Sequence, residues 1–219
     1  MRKLLYLPAI LFITLISCSK KNETKHQALV TINEKVYSTV VIGNQTWTAE
    51  NYDGPGGTAS TRNDEAAIGK YYTLEEMQAL TLPAGWRVPS EADCITLLKS
   101  QGTLIWEDEY GALLDSVSSK YLRSTTGWYL PGTNKSGFNA LPAGKYQAFA
   151  NEFQDYKSTA NFWTTTIGIP EDAQTWFIMD FSGFYDSYGT GGAPNSYARV
   201  SSSRLVEPYG YSLRFVKDN

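Results

Sequence analysis

Hydrophobic positions along this chain change period several times. The first block, Leu4 to Ile16, has no period: it follows Arg2 and Lys3, ends in small Ser17 before Cys18, and at about 13 residues falls short of the ~20 a membrane-spanning helix needs. A basic start, an apolar run and a small residue form the layout of a secretory signal, so a leader is expected over 1–17. The next stretch, SKKNETKHQ at 19–27, is polar without periodicity and reads as a flexible tether. The folded part is then expected over 28–219 as one domain, long enough for a substantial core.

Within that part, KVYSTVVIG and QTWTAE carry β-branched and aromatic residues on either side of Gly43-Asn44, a pair that tolerates a tight turn, and predict a β-hairpin. The glycine-rich DGPGGTASTRND lacks apolar periodicity and reads as a loop. Helical spacing appears twice. TLEEMQAL has Thr73 and Glu76 at capping-box distance, and PSEADCITLLKSQG repeats the device with Ser90 and Asp93 ahead of Ile95, Leu97 and Leu98. EYGALLDSVSSKYL reads as a third helix or an irregular stretch. Beyond it come short β-like runs, NFWTTTI, TWFIMDF, YARVSSS and YSLRFVKD, separated by turn formers. Helices early and strands late, without βαβ alternation, predict an α+β fold with an antiparallel sheet.

Charge narrows the partners. Loss of 1–17 removes Arg2 and Lys3 and no acid, moving the net charge from −3 to −5, and no Lys/Arg cluster stands among aromatics. Nucleic acid is therefore not an expected partner. The chain has two cysteines, Cys18 and Cys94, and Cys94 on a helical segment reads as a small buried apolar residue.

Cys18 has a different explanation. Leu15-Ile16-Ser17-Cys18 resembles the bacterial lipobox, in which the cysteine thiol receives a diacylglycerol and the chain is cut before it. That resemblance implies a lipoprotein of the bacterial cell envelope whose membrane partner is reached through an N-terminal lipid. Two or three acyl chains anchor stably where one does not. Ser19, in place of an aspartate favouring inner-membrane retention, points to the outer membrane.

Six blocks, VYSTVVIGNQTWTAENY, LPAGWRVPSEAD, YLRSTTGW, SGFNALPAGKY, NFWTTT and YSLRFVKD, follow in the order found in the Fibrobacter succinogenes major paralogous domain family, which the chain resembles from about Val30 to Asp218. The resemblance implies an extracytoplasmic domain with a C-type lectin-like fold: two main helices, a twisted antiparallel sheet and long loops. The family is mostly described without an assigned activity. Family members commonly place cysteines where this chain has Leu82 and Phe215. Their joint loss implies that the family pair is a disulfide, replaced here by apolar contact.

Inventory excludes several chemistries. The only histidine, His26, lies in the tether, so Ser-His-Asp and Cys-His catalysis within the domain and a multi-Cys/His zinc site are not expected. The formylglycine-generating chemistry of related lectin-like folds needs paired cysteines, which are missing. Calcium-dependent sugar binding lacks its motif: Glu207-Pro208-Tyr209 is misplaced and no Trp-Asn-Asp follows. No metal and no cofactor are expected. Carboxylates at Glu107–Glu109, Glu152, Asp155, Glu171, Asp172, Asp180 and Asp186 keep a polysaccharide hydrolase open as an alternative.

What stands out instead is DFSGFYDSYGTGGAPNSYARV, where aromatics alternate with amides, hydroxyls and carboxylates. Phe184, Tyr185, Asp186, Tyr188, Asn195 and Tyr197 are the candidate ligand-binding residues, since tyrosine joins an apolar plate to a hydroxyl and loops on a rigid scaffold carry binding. Packing of the loop on itself and contact with a partner both fit this pattern. Trp47, Trp86, Trp128, Trp163 and Trp176 read as core. The function expected is a non-catalytic envelope domain binding a glycan, protein or other surface component, with a structural subunit of a surface fibre or envelope complex as the alternative from another class.

Overall fold

The computed structural model describes residues 28–61, 68–169, 172–185, 194–204 and 208–219. The expected leader, the lipidation site Cys18, the tether with His26, and the loop positions Asp186 and Tyr188 lie outside the described residues.

The expectation of an α+β, lectin-like domain with two main helices is overturned, because the chain is rich in sheet. The described residues form fourteen strands and three helices: α1 (Leu74–Gln78), α2 (Glu91–Lys99) and α3 (Ser119–Leu122). The helix starts are as expected, with capping boxes Thr73–Glu76 and Ser90–Asp93 both closed. Their lengths are not: α1 has five residues and only α2 reaches nine. EYGALLDSVSSKYL divides into a strand, β7 (Gly111–Leu114), and α3. Gly111 decides the strand, since at φ 133 a Cβ would lie 1.9 Å from the Val200 carbonyl oxygen. Strands also occur early, so the division into helices first and strands later does not hold.

The first sheet has the order β1 (Leu29–Ile32), β2 (Lys35–Ile42), β3 (Gln45–Thr48), β14 (Val216–Asp218). Gly43 at φ 62 opens the expected β2–β3 hairpin, where Ile42 pairs with Gln45. Val216 pairs with Trp47, so the end of the domain closes on its beginning. DGPGGTASTRND is not wholly loop: β4 (Thr58–Ala59) pairs with β5 (Lys70–Tyr71). A three-stranded sheet joins β13 (Tyr209–Gly210), β8 (Lys145–Gln147) and β9 (Glu152–Gln154).

The largest sheet runs β10 (Thr159–Ile169), β11 (Asp172–Tyr185), β12 (Pro194–Arg204), β7, β6 (Leu104–Asp108). TWFIMDF reads as an unbroken apolar run because β11 is covered on both faces. Phe177, Met179 and Phe181 meet Cys94, Leu97 and Leu98 of α2 in one buried cluster. Trp176 and Ile178, one residue out of phase, join Trp163, Tyr72, Tyr211 and Phe215 in a second. Fully burying one such side chain stabilises by roughly 1.5–3 kcal/mol, and two clusters share the one sheet.

Candidate functional site

Period-two alternation carries the second face of this sheet past its apolar half toward the end at Tyr185 and Pro194. Asp180, Ser182 and Phe184 of β11 share it with Asn195, Tyr197 and Arg199 of β12, through the pairs Asp180↔Arg199, Ser182↔Tyr197 and Phe184↔Asn195. Three of the six expected residues, Phe184, Asn195 and Tyr197, therefore sit on adjacent rungs of one face, each partly exposed. Tyr185 ends β11 opposite Pro194. The Ser182 hydroxyl donates to Asn195 Oδ1 at 3.0 Å, fixing the amide.

Arg199 and Asp180 anchor the inner end of this face. Arg199 Nε donates to both carboxylate oxygens at 2.9 and 3.0 Å, and its guanidinium carbon lies 4.8 Å from the Tyr197 ring centroid. Burial pushes the Asp180 carboxyl up to about 6, with Arg199 partly opposing the shift. The Tyr197 phenol is raised to about 12, first by burial and then by Asp180. Arg199 was not among the expected site residues. Its signal was present in YARV, where Tyr197 and Arg199 alternate with Ala198 and Val200 of the core.

Of the carboxylates named for a hydrolase, Glu171 and Asp186 lie outside the described residues and four others make structural contacts. Glu107 pairs with Lys99, Asp108 caps the turn at Tyr110, Asp155 pairs with Lys145, and Asp180 holds Arg199. Among the described residues no three His, Cys, Asp or Glu side chains gather as metal ligands.

A second concavity lies elsewhere. Between the α1 segment and the β10–β11 pair opens a cleft of about 540 Å³, walled by Leu82, Trp86 and Trp176, with Gln78, Arg87 and Thr165 supplying polar groups. Trp47, Trp128, Trp163 and Trp176 are buried as expected. Trp86 is half-buried: it packs against the edge of the second cluster, in part as expected, and also lines this cleft. These residues come from distant segments, so no local pattern could have grouped them.

Residues 40–217 match the sequence profile of the family described as Fibrobacter succinogenes major domain. The chain belongs to that family. Strand β1 and the first half of β2 precede the matched span. Comparison with curated proteins and with solved structures gave no match. No helix among the described residues is long and apolar enough to cross a membrane.

In this member of the Fibrobacter succinogenes major domain family, the blocks that carry the resemblance meet in the interior. Arg214 of YSLRFVKD is fully buried and donates from Nε to Asn51 Oδ1 (2.6 Å), from Nη1 to the carbonyls of Thr48 and Phe138 (2.8 Å each), and from Nη2 to the Asn139 carbonyl (3.0 Å). The rings of Phe138 and Phe162 lie 5.0 and 5.7 Å from its guanidinium carbon. Burial lowers this guanidinium to about 9, so it is charged at neutral pH. A second knot ties GNQ, WRVPSEAD and VKD: Asp93 accepts from Gln45 Nε2, from Arg87 Nε and Nη2, and from the Ser90 amide and hydroxyl. Burial opposes ionisation of Asp93, yet these donors hold its carboxyl below the ordinary range. Arg214 and Asp93 of these blocks thus hold the scaffold together, and the partly exposed face at Phe184, Asn195 and Tyr197 lies outside all six.

Proposed function

We propose that this chain is a lipid-anchored, non-catalytic domain of the bacterial cell envelope, carried on the outer membrane, that binds a glycan, protein or other surface component through the aromatic face at the end of β11 and β12. The observation that carries this reading is the presence of Phe184, Asn195 and Tyr197 on neighbouring rungs of one partly exposed face. The sheet presents two aromatic plates and a fixed amide there, the chemistry that grips sugar rings and peptide groups alike. The lipobox-like Leu15-Ile16-Ser17-Cys18 supports the anchor. Engagement of both Asp180 oxygens by Arg199 supports a non-catalytic role, because the carboxyl with the raised pKa is committed to an ion pair.

The test is a glycan array and an envelope-extract capture, each performed with the full chain and with Tyr185→Ala/Tyr188→Ala and Tyr197→Ala variants. A true ligand is expected to lose at least ~1 kcal/mol, about fivefold, in each variant. Unchanged binding in every variant overturns the assignment of the face. The alternative, a structural subunit of a surface fibre or envelope complex, is favoured by β1: it is an edge strand of its sheet, with Leu29 67% and Val41 of neighbouring β2 63% exposed. A blank array with capture of one envelope protein, unaffected by the tyrosine changes, supports that subunit role.

A further inference from the structure

We infer that the cleft between Trp86 and Trp176 is a binding site for a neutral hexose unit, separate from the face at Tyr197. Its volume of about 540 Å³ falls inside the ~300–1,000 Å³ range of small-ligand pockets and holds a sugar ring with a linkage. The walls are apolar: two indoles and Leu82. A pyranose presents a patch of C–H bonds on one face, which packs on an aromatic plate, and hydroxyls around its edge, which need donors and acceptors.

The rim meets that need. Among the described residues the Trp86 Nε1–H, the Gln78 amide and the Thr165 hydroxyl have no hydrogen-bond partner, and Gln78 and Thr165 are exposed. Arg87 spends Nε and Nη2 on Asp93 and Asp218, leaving Nη1 unused. A sugar hydroxyl, both donor and acceptor, is a chemically suited partner for each of these groups.

Charge selects a neutral ligand. The Arg87 cation is already matched by Asp93 at 2.6 Å and Asp218 at 2.9 Å, and the ammonium of Lys217 stands 5.4 Å from the Trp86 ring. Two cations and two carboxylates cancel at this rim, so a charged ligand gains no net attraction. A wholly apolar occupant, such as an acyl chain or a leucine side chain, strips water from the Trp86 N–H and the Gln78 amide and returns no hydrogen bond, at about 1–3 kcal/mol for each group. A hexose satisfies both the indoles and the free polar groups.

The full chain is titrated with methyl β-D-glucopyranoside, methyl β-D-galactopyranoside and cellobiose, with glucuronate, glucosamine and an apolar hexapeptide as comparators. Readouts are tryptophan fluorescence and saturation-transfer NMR. A saturable signal with a neutral sugar is expected, with Kd near the millimolar range. Gln78→Ala and Trp86→Ala are expected to weaken it about tenfold or more, and Thr165→Val to weaken it measurably. Gln78→Ala and Thr165→Val alter exposed side chains and carry the test if Trp86→Ala fails to fold, as judged by thermal melting. No saturation with any neutral sugar, equal binding in Gln78→Ala, or preference for the charged sugars or the peptide overturns the site. Loss of sugar binding in Tyr197→Ala but not in Gln78→Ala also overturns it, while leaving the proposed function standing.

Discussion

One nitrogen of Arg199, Nε, holds both carboxylate oxygens of Asp180, at 2.9 and 3.0 Å, on directly paired residues of β11 and β12. The Asp180 side chain is 13% exposed and the Arg199 side chain 41%, so the acid loses its water and gains only one direct donor. Burial dominates and its carboxyl rises to about 6. A carboxyl whose pKa is higher in the folded than in the unfolded chain stabilises the fold when protonated. That contribution is present below about pH 4 and is lost as the pH rises through about 6, a swing of up to about 3 kcal/mol. Asp180→Asn removes the swing. Chemical denaturation of both proteins from pH 4 to 7 is expected to show wild type losing stability relative to the variant as pH rises. A difference independent of pH sinks the assignment.

Arg214 is the point at which four family blocks depend on one side chain. Truncation to Ala leaves Asn51 Oδ1 and the carbonyls of Thr48, Phe138 and Asn139 without their donor in the interior. Each orphaned acceptor costs about 1–3 kcal/mol, against a total stability of ~5–15 kcal/mol for an ordinary domain. Arg214→Ala is expected at or below the folding threshold. Arg214→Lys should recover only part of the loss, because a compact ammonium with three donors cannot span acceptors that a planar fork reaches together. Urea unfolding orders the three proteins; an alanine variant within 1 kcal/mol of wild type contradicts the role.

Local devices were legible in the sequence and long-range ones were not. Thr73–Glu76, Ser90–Asp93 and Gly43 act within a few residues, so spacing alone located two helix starts and one turn. The stretch around GALL is open in the sequence between helix and irregular structure because it has the composition of a helix, whereas its state as a strand is set by the approach of Val200 across a sheet almost ninety residues away. Period two in YARV sets Tyr197 and Arg199 on the face opposite the core residues Ala198 and Val200, yet the partners Ser182 and Asp180 are fixed by register, which composition does not encode. Trp86 shows the same limit: an indole looks like core in any sequence, and only the placement of α1 beside β10 and β11 leaves it lining a cleft.

The proposed anchor makes a prediction that needs no ligand. Lipidation at Cys18 should partition the protein into the membrane fraction through two or three acyl chains, an attachment that one thiol controls. Cys18→Ala is expected in the soluble fraction after cell lysis, and mass spectrometry of the wild-type amino-terminal peptide should show the added diacylglycerol. Membrane retention of the variant, or a bare thiol in the wild type, removes the envelope assignment while leaving the fold intact.

Leu82 and Phe215 occupy the positions at which the family resemblance implies a disulfide, and in this chain Leu82 packs against the buried cluster that contains Phe215. Both positions thus belong to one apolar cluster where the resemblance implies a covalent link. Restoring the pair as Leu82→Cys/Phe215→Cys closes a loop of more than a hundred residues, which in the chain-entropy model contributes about 4–5 kcal/mol. The same variant forfeits roughly 3–5 kcal/mol of leucine and phenylalanine burial, so comparison with wild type is expected to show only a small gain. The informative comparison is between the oxidised and reduced forms of the variant, where side-chain burial cancels and the loop term remains. At about 2–4 °C per kcal/mol for a domain of this size, oxidation should raise the Tm by roughly 8–20 °C. Cys94 does not compete for the new thiols: it is fully buried in the α2 cluster, and burial raises its pKa well above that of a reactive thiolate. Failure of the variant to oxidise shows that positions 82 and 215 do not face each other as the resemblance implies.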